Sequence, residues 1–136
     1  MSGWDKRATT RRAGPPPSAR DGAYLVYTGL SERARRDGIE EPASVSLGDA
    51  FRLLPGAVIA LGRSDLCEVT IDAKSLSRRH AMVSFEPGAE VRLVLVDLNT
   101  RTGCWVEGRR APVQKVAPGQ TFELARYFCF RCQPAG

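Results

Sequence analysis

Apolar residues along the chain come in short runs divided by Gly, Pro and charge, and they alternate with polar residues more than they follow a helical stripe. Residues 23–28 form the first apolar run. Residues 31–44 are charged and contain Gly38 and Pro42, so they read as a loop with room for one helical turn. Residues 46–54 alternate loosely and end at Pro55-Gly56. Residues 57–61 and 68–71 are two further strand-like runs, and residues 80–86 place Ala81, Met82, Val83 and Phe85 on another. In residues 90–97, Val91, Leu93 and Leu95 share one face, as expected for a strand of period two. Pro87-Gly88 precedes that run and predicts a hairpin connection. Residues 104–106 and 109–113 flank Glu107-Gly108, a second hairpin candidate. After Pro118-Gly119, residues 121–132 read as one last strand.

No apolar stripe of helical period runs beyond about two turns. Strands at such spacing predict an all-β domain, a two-sheet sandwich or a barrel. The 136 residues suit one domain, here residues 23–133. Residues 1–22, rich in Arg, Gly and Pro with Pro15-Pro16-Pro17 at the centre, read as a flexible, disordered tail.

Charge sharpens that division. The chain carries 20 Lys+Arg against 15 Asp+Glu, and residues 1–20 hold five of those bases (Lys6, Arg7, Arg11, Arg12, Arg20) against Asp5 alone. The tail therefore accounts for four of the five net charges, and we read it as a solvated leader rather than a nucleic-acid arm. No apolar run approaches the ~20 residues of a membrane span, and no apolar signal segment opens the chain. The expected location is cytoplasmic, with no membrane partner.

Four cysteines are present: Cys67, Cys104, Cys129 and Cys132. A reducing compartment favours free thiols. Cys129-x-x-Cys132 has zinc-ligand spacing, but no second close pair exists and His80 is the one histidine. On a strand that odd spacing places the two thiols on opposite faces. No metal or other cofactor is expected.

Three polar clusters sit between apolar runs: Gly62-Arg63-Ser64, residues 75–80 (Ser-Leu-Ser-Arg-Arg-His) and residues 97–103 (Asp-Leu-Asn-Thr-Arg-Thr-Gly). Loops gather at the ends of a sandwich and carry function on a rigid frame. These supply guanidinium forks and hydroxyls, the groups that suit a phosphate oxyanion. They hold no paired carboxylates, and a histidine flanked by arginines makes a poor general base. The expected class is a binding module, not an enzyme. Specific nucleic-acid binding is not expected, because it wants aromatics interleaved with the bases, and Tyr127, Phe128 and Phe130 read as core.

The order Gly62-Arg63, Ser77-Arg78-x-His80, Asp97-Leu98, Gly103 and Val106-x-Gly108 resembles the forkhead-associated (FHA) domain over residues 45–132. The resemblance implies a β-sandwich of about 11 strands that binds phosphothreonine peptides through loops at one end and has no catalytic activity. By resemblance, Arg63 contacts phosphate, Ser77 holds a phosphate oxygen, and Arg78 supports the phosphate or the peptide main chain. His80, with Gly62 and Gly103, braces the loops. The implied partner is a phosphothreonine-bearing protein or a Ser/Thr kinase substrate, bound by a monomer or weak dimer.

The third loop departs from the family's Asp-x-Ser-Thr-Asn-Gly-Thr pattern. Arg101 replaces a small hydroxyl residue, and Thr102 stands where the family has its peptide-binding asparagine. A threonine hydroxyl cannot reproduce both bonds of an amide. Arg101 either adds a second cationic fork or fills the groove. The departure keeps a second reading open, a phosphate-independent scaffold. Glu107-Gly108 stands where the family has Asn-Gly. Glutamate tolerates positive φ poorly, so a different turn type is expected there.

Overall fold

The computed structural model describes residues 22–86 and 92–135. The 1–21 part of the tail and the Pro87–Glu90 connection expected from the sequence lie outside those residues. Eleven strands and one short helix follow in order: β1 (Ala23–Leu30), α1 (Glu32–Arg36), β2 (Ala50–Leu53), β3 (Val58–Gly62), β4 (Val69–Thr70), β5 (Ala81–Glu86), β6 (Arg92–Asp97), β7 (Cys104–Val106), β8 (Arg109–Arg110), β9 (Val113–Val116), β10 (Thr121–Leu124) and β11 (Phe128–Pro134). They form a six-stranded sheet, β2-β1-β11-β10-β7-β8, and a five-stranded sheet, β4-β3-β5-β6-β9. The protein is an all-β two-sheet sandwich, one of the two architectures that the alternating pattern allows and the one that the family resemblance implies.

Period-two burial makes the sandwich. In β5, Ala81, Val83 and Phe85 face inward, and β6 answers with Leu93 and Leu95 in register. The opposing sheet contributes Leu25, Tyr27, Phe122, Leu124, Phe128 and Phe130. Phe122 stacks on Phe130 at 5.5 Å between ring centroids, and Tyr27 tilts against Phe130 at 5.2 Å. Each buried aromatic of this size contributes roughly 1.5–3 kcal/mol of burial free energy. Cys132 lies in the core while Cys129 faces the other way and is half-buried, as the odd spacing on a strand requires.

Three strand assignments change. Residues 121–132 are two strands, not one, joined by a tight turn with Ala125 at φ 58 and Arg126 at φ 62. No Gly, Pro, Asn or Asp announces that turn. Residues 109–113 divide at Ala111-Pro112, because Pro112 has no N–H for a ladder. Residues 46–54 yield only β2; Ser46 and Asp49 instead form a turn, with the Ser46 amide on Asp49 Oδ2 at 2.8 Å. The turn at Glu107-Gly108 also differs from expectation. Glu107 adopts φ 50 and Gly108 φ 77, so the hairpin keeps the primed turn that its strands' twist favours, with Glu107 tolerated in it. The one helical turn anticipated in residues 31–44 is α1, capped by the Ser31 hydroxyl, which accepts from the Ala34 amide.

Candidate functional site

The three polar clusters meet at one end of the sandwich, and the main chain does most of the joining. β3 ends at Gly62, where a side chain would run into the Arg78 carbonyl and the His80 amide. Glycine therefore lets the first loop lie against the second. Two bonds seal that contact: Arg63 N–H to Ser77 O and Ser64 N–H to Arg78 O, both 3.0 Å. The Arg63 side chain adds a third, from Nε to the Leu76 carbonyl at 3.1 Å. Its two terminal amino groups have no bond among the described residues, and no ion pair with Asp65 forms. The Ser77 hydroxyl is likewise uncommitted, while its amide and carbonyl are both used.

His80 is fully buried at the centre of the loop cluster. Its Nδ1 accepts from the Ser77 amide at 3.2 Å, which explains the three-residue spacing of Ser-x-x-His. Nε2 must then carry the proton and donate to the Gly103 carbonyl, 2.9 Å away. Burial, the largest influence, pushes the His80 pKa down; the Gly103 bond and Asp97 partly oppose it, and Arg110 adds to it. The ring is thus a neutral strut between the second and third loops.

The third loop is held by Asp97, part of the family pattern, and by Thr100, Trp105 and Arg110, to which the sequence assigns no role. Asp97 Oδ1 accepts from the Thr100 amide at 3.1 Å and its hydroxyl at 2.6 Å. The Thr100 hydroxyl in turn accepts from the Gly103 amide at 3.0 Å. Arg110 reaches across from β8, and its Nη2 donates to the carbonyls of Thr100 at 2.8 Å and Arg101 at 3.2 Å. Gly103 has φ 81, and a Cβ there would strike the Arg110 guanidinium. Trp105 Nε1 donates to the Thr102 carbonyl at 2.9 Å, and the Arg126 guanidinium lies 4.5 Å over the Trp105 ring. Tyr127, expected in the core, is only half-buried; its hydroxyl donates to Asp37 Oδ2 at 2.6 Å.

Thr102 faces the second loop. Its hydroxyl donates to the Ser75 carbonyl at 3.2 Å, so it ties the third loop to the second. Arg78 and Arg101 are exposed and make no side-chain bond among the described residues. Lys74 and Arg79 are exposed too, Arg79 lying near the Met82 sulfur. The one ion pair among the described residues, Lys115 with Glu86 at 3.2 Å, is away from these loops. The loop end therefore presents cations that no carboxylate among the described residues neutralises by direct contact.

One group of possible metal ligands occurs among the described residues: His80, Asp97 and Cys104, with ligand atoms within 4.8 Å of one another. Two of the three residues are already committed to hydrogen bonds within the loops. Both His80 nitrogens and Asp97 Oδ1 are hydrogen-bonded, and burial pushes the Cys104 thiol up to about 12, far from the thiolate a metal needs. The group is a brace. Cys129 and Cys132, both raised to about 11, do not converge either.

The family model for the FHA domain matches residues 59–125, the stretch that contains all three polar loops. The chain carries an FHA domain. Solved structures agree on the fold. The FHA domain of an Arabidopsis thaliana hypothetical protein superposes with a TM-score of 0.64 at 18% identity, over 92% of this chain and 95% of that one. EmbR of Mycobacterium tuberculosis, solved in complex with a low-affinity phosphopeptide, gives 0.60 at 21% identity over 85% of this chain and 25% of its own. A domain solved in a study of phosphothreonine-dependent FHA interactions gives 0.58 at 17% identity, covering 82% of this chain and 95% of that one. No curated protein sequence matches this one. No helix among the described residues is long and apolar enough to cross a membrane.

Proposed function

We propose that this FHA domain is a phosphothreonine-peptide-binding signalling module without catalytic activity, and that its partner is a phosphorylated protein or a Ser/Thr kinase substrate. The observation that carries the reading is the convergence of unspent donors at one loop end. The Arg63 terminal amino groups, the Ser77 hydroxyl and the Arg78 guanidinium have no bond among the described residues, on loops that main-chain bonds tie to one another. A phosphate dianion takes donors of this kind, guanidinium forks above all. The fixed loops mean that little ordering is needed on the protein side when it arrives.

In this mechanism the phosphate docks against Arg63, Ser77 and Arg78, with Gly62, His80 and Gly103 holding the loops in place. The peptide chain runs along Arg101 and Thr102. Because the Thr102 hydroxyl donates to Ser75, it offers the peptide acceptor lone pairs but no hydrogen. One missing hydrogen bond weakens a complex by about 1 kcal/mol, roughly fivefold. The same inward turn of Thr102 is what favours the second reading, a phosphate-independent interaction scaffold.

Fluorescence anisotropy against a degenerate phosphothreonine peptide pool separates the two. Phosphate-dependent binding that disappears in Arg63→Ala supports the module. Equal binding of the unphosphorylated pool, or none of either, places the scaffold first.

A further inference from the structure

The outward face of the five-stranded sheet is apolar where water should favour polar residues. β6 reads Leu93-Val94-Leu95-Val96 and β3 reads Val58-Ile59-Ala60-Leu61, apolar toward both faces. A strand with one wet face alternates, whereas a strand covered on both faces reads as a continuous apolar run. Pairing sets the outward residues in cross-strand rows. Ala60, Met82, Val96 and Val113 form one row, and Val58, Ser84, Val94 and Lys115 the next. Val58 and Val113 stand 51% and 59% exposed. The other sheet turns Glu123, Arg131 and Gln133 outward, as a solvated face should. Among the described residues no strand or helix lies over the apolar face, and α1 packs at β1 of the opposite sheet.

Charge at the edge of this face selects its occupant. Beyond the apolar rows, Glu86 on β5 sits in register with Arg92 on β6, and Lys115 reaches Glu86 at 3.2 Å. A second copy, related by a two-fold axis parallel to the strands, lays its β6 on β5 of the first. Glu86 of each copy then meets Arg92 of the other. The same rotation sets Met82 against Val96 and the small Ala60 against the protruding Val113. Sheets so paired are in the aligned arrangement that sandwiches use. The tail suits the face less well, because its five bases and one acid would meet a rim that holds Arg79, Arg92 and Lys115 besides Glu86.

We infer that this face is the interface of a weak symmetric dimer, with a second copy of the chain as its occupant. Four strands at ~4.8 Å spacing with two or three outward residues each give a footprint of roughly 300–400 Å² per copy. That is about half of the ~800 Å² per partner in a stable interface, so the dimer forms only at high concentration. An axis parallel to the strands leaves both loop ends pointing the same way. On the phosphothreonine reading above, the dimer offers two sites to a doubly phosphorylated partner. The dimer itself does not depend on that reading.

Sedimentation velocity on the full chain, from about 10 µM to about 1 mM, tests the inference. Wild type should pass from monomer to dimer with a midpoint on the order of 100 µM. Val113→Lys sets a charge in the apolar row of an exposed edge strand and should raise the midpoint about tenfold or more. Glu86→Arg and Arg92→Glu each bring like charges together across the axis, so each alone should stay monomeric. An equimolar mixture of those two variants should recover the dimer to within about threefold of wild type, because every facing pair is again of opposite sign. Thermal melts check that each variant is folded. A wild type that remains monomeric throughout overturns the inference and leaves the face to the tail or to another protein. A dimer that survives Val113→Lys unchanged overturns it as well, since the contact then lies elsewhere. Folded charge variants whose mixture stays monomeric overturn the two-fold pairing of Glu86 with Arg92.

Discussion

The Ser77 amide donates to Nδ1 of His80, and that single bond fixes the ring's tautomer and leaves Nε2–H for Gly103. One side chain thereby joins the second loop to the third, Gly103 lying 23 residues beyond His80. Replacing His80 with alanine would leave the part-buried Ser77 N–H without its partner, reduce the Gly103 carbonyl to its bond from the Ala125 amide, and open a cavity at the centre of the loops. The expected cost is about 3 kcal/mol of stability. Urea denaturation of wild type and His80→Ala checks this; a loss below about 1 kcal/mol would mean the loops do not depend on the strut.

The same ring predicts a pH dependence. Its folded pKa lies below the ordinary 6.5, so the unfolded chain binds more protons in the window beneath 6.5. Stability from this group is full above 6.5 and is lost as pH falls toward the lowered folded value. Glu123 acts oppositely: burial raises its carboxyl above 4.5, so its contribution fades as pH rises. Denaturation midpoints for wild type and for His80→Gln, compared across this window, isolate the histidine. The wild type should lose stability on acidification more steeply than the variant. Parallel curves would show that His80 does not titrate differently on folding.

How far the sequence reveals this domain depends on how local each cause is. Strands were legible because period-two burial is written residue by residue, as in Ala81, Val83 and Phe85 against Leu93 and Leu95. Gly62, Ser77 and His80 stand out through the family resemblance, and of their contacts only Ser77 to His80 is local in sequence. The Ala125-Arg126 turn was not legible, because its left-handed backbone is imposed from outside. The Ser31 hydroxyl donates to the Arg126 carbonyl at 2.6 Å, the Ala125 amide donates to the Gly103 carbonyl at 2.9 Å, and Arg126 lies over Trp105. Thr100 and Arg110 escaped for the same reason. Arg110 looks like one of several surface bases until β8 folds beside the third loop. The positive φ at Glu107 was misjudged because hairpin twist outweighs a residue preference of this size.

Gly62 gives a prediction that rests on space alone. Its φ is ordinary, so alanine there carries no backbone strain, only a methyl group driven into the Arg78 carbonyl and the His80 amide. The obstacle is backbone, which cannot swing aside like a side-chain tip. Gly62→Ala should therefore part the first loop from the second and cost roughly 2 kcal/mol or more. Hydrogen exchange offers a local readout. The Arg63 and Ser64 amides, which donate to Ser77 and Arg78, should lose protection in the variant. Retained protection at both amides would show that the loops can accommodate the methyl group.

Arg110 separates positioning from charge. Its Nη2 serves two carbonyls of the third loop, while its guanidinium fills the space beneath Gly103. Lysine keeps the positive charge but has a compact ammonium that cannot reproduce a planar fork across that gap. If Arg110 acts by holding the loop, Arg110→Lys should weaken phosphopeptide binding about five- to tenfold, equivalent to roughly 1–1.4 kcal/mol. Global stability should fall by a similar, modest amount, and the salt dependence of binding should be unchanged, since no charge has been removed. If Arg110 acts only through its charge, the lysine variant should bind like wild type, and Arg110→Gln should lower both affinity and salt sensitivity. Binding isotherms for the two variants at low and high ionic strength therefore distinguish a brace from a steering charge.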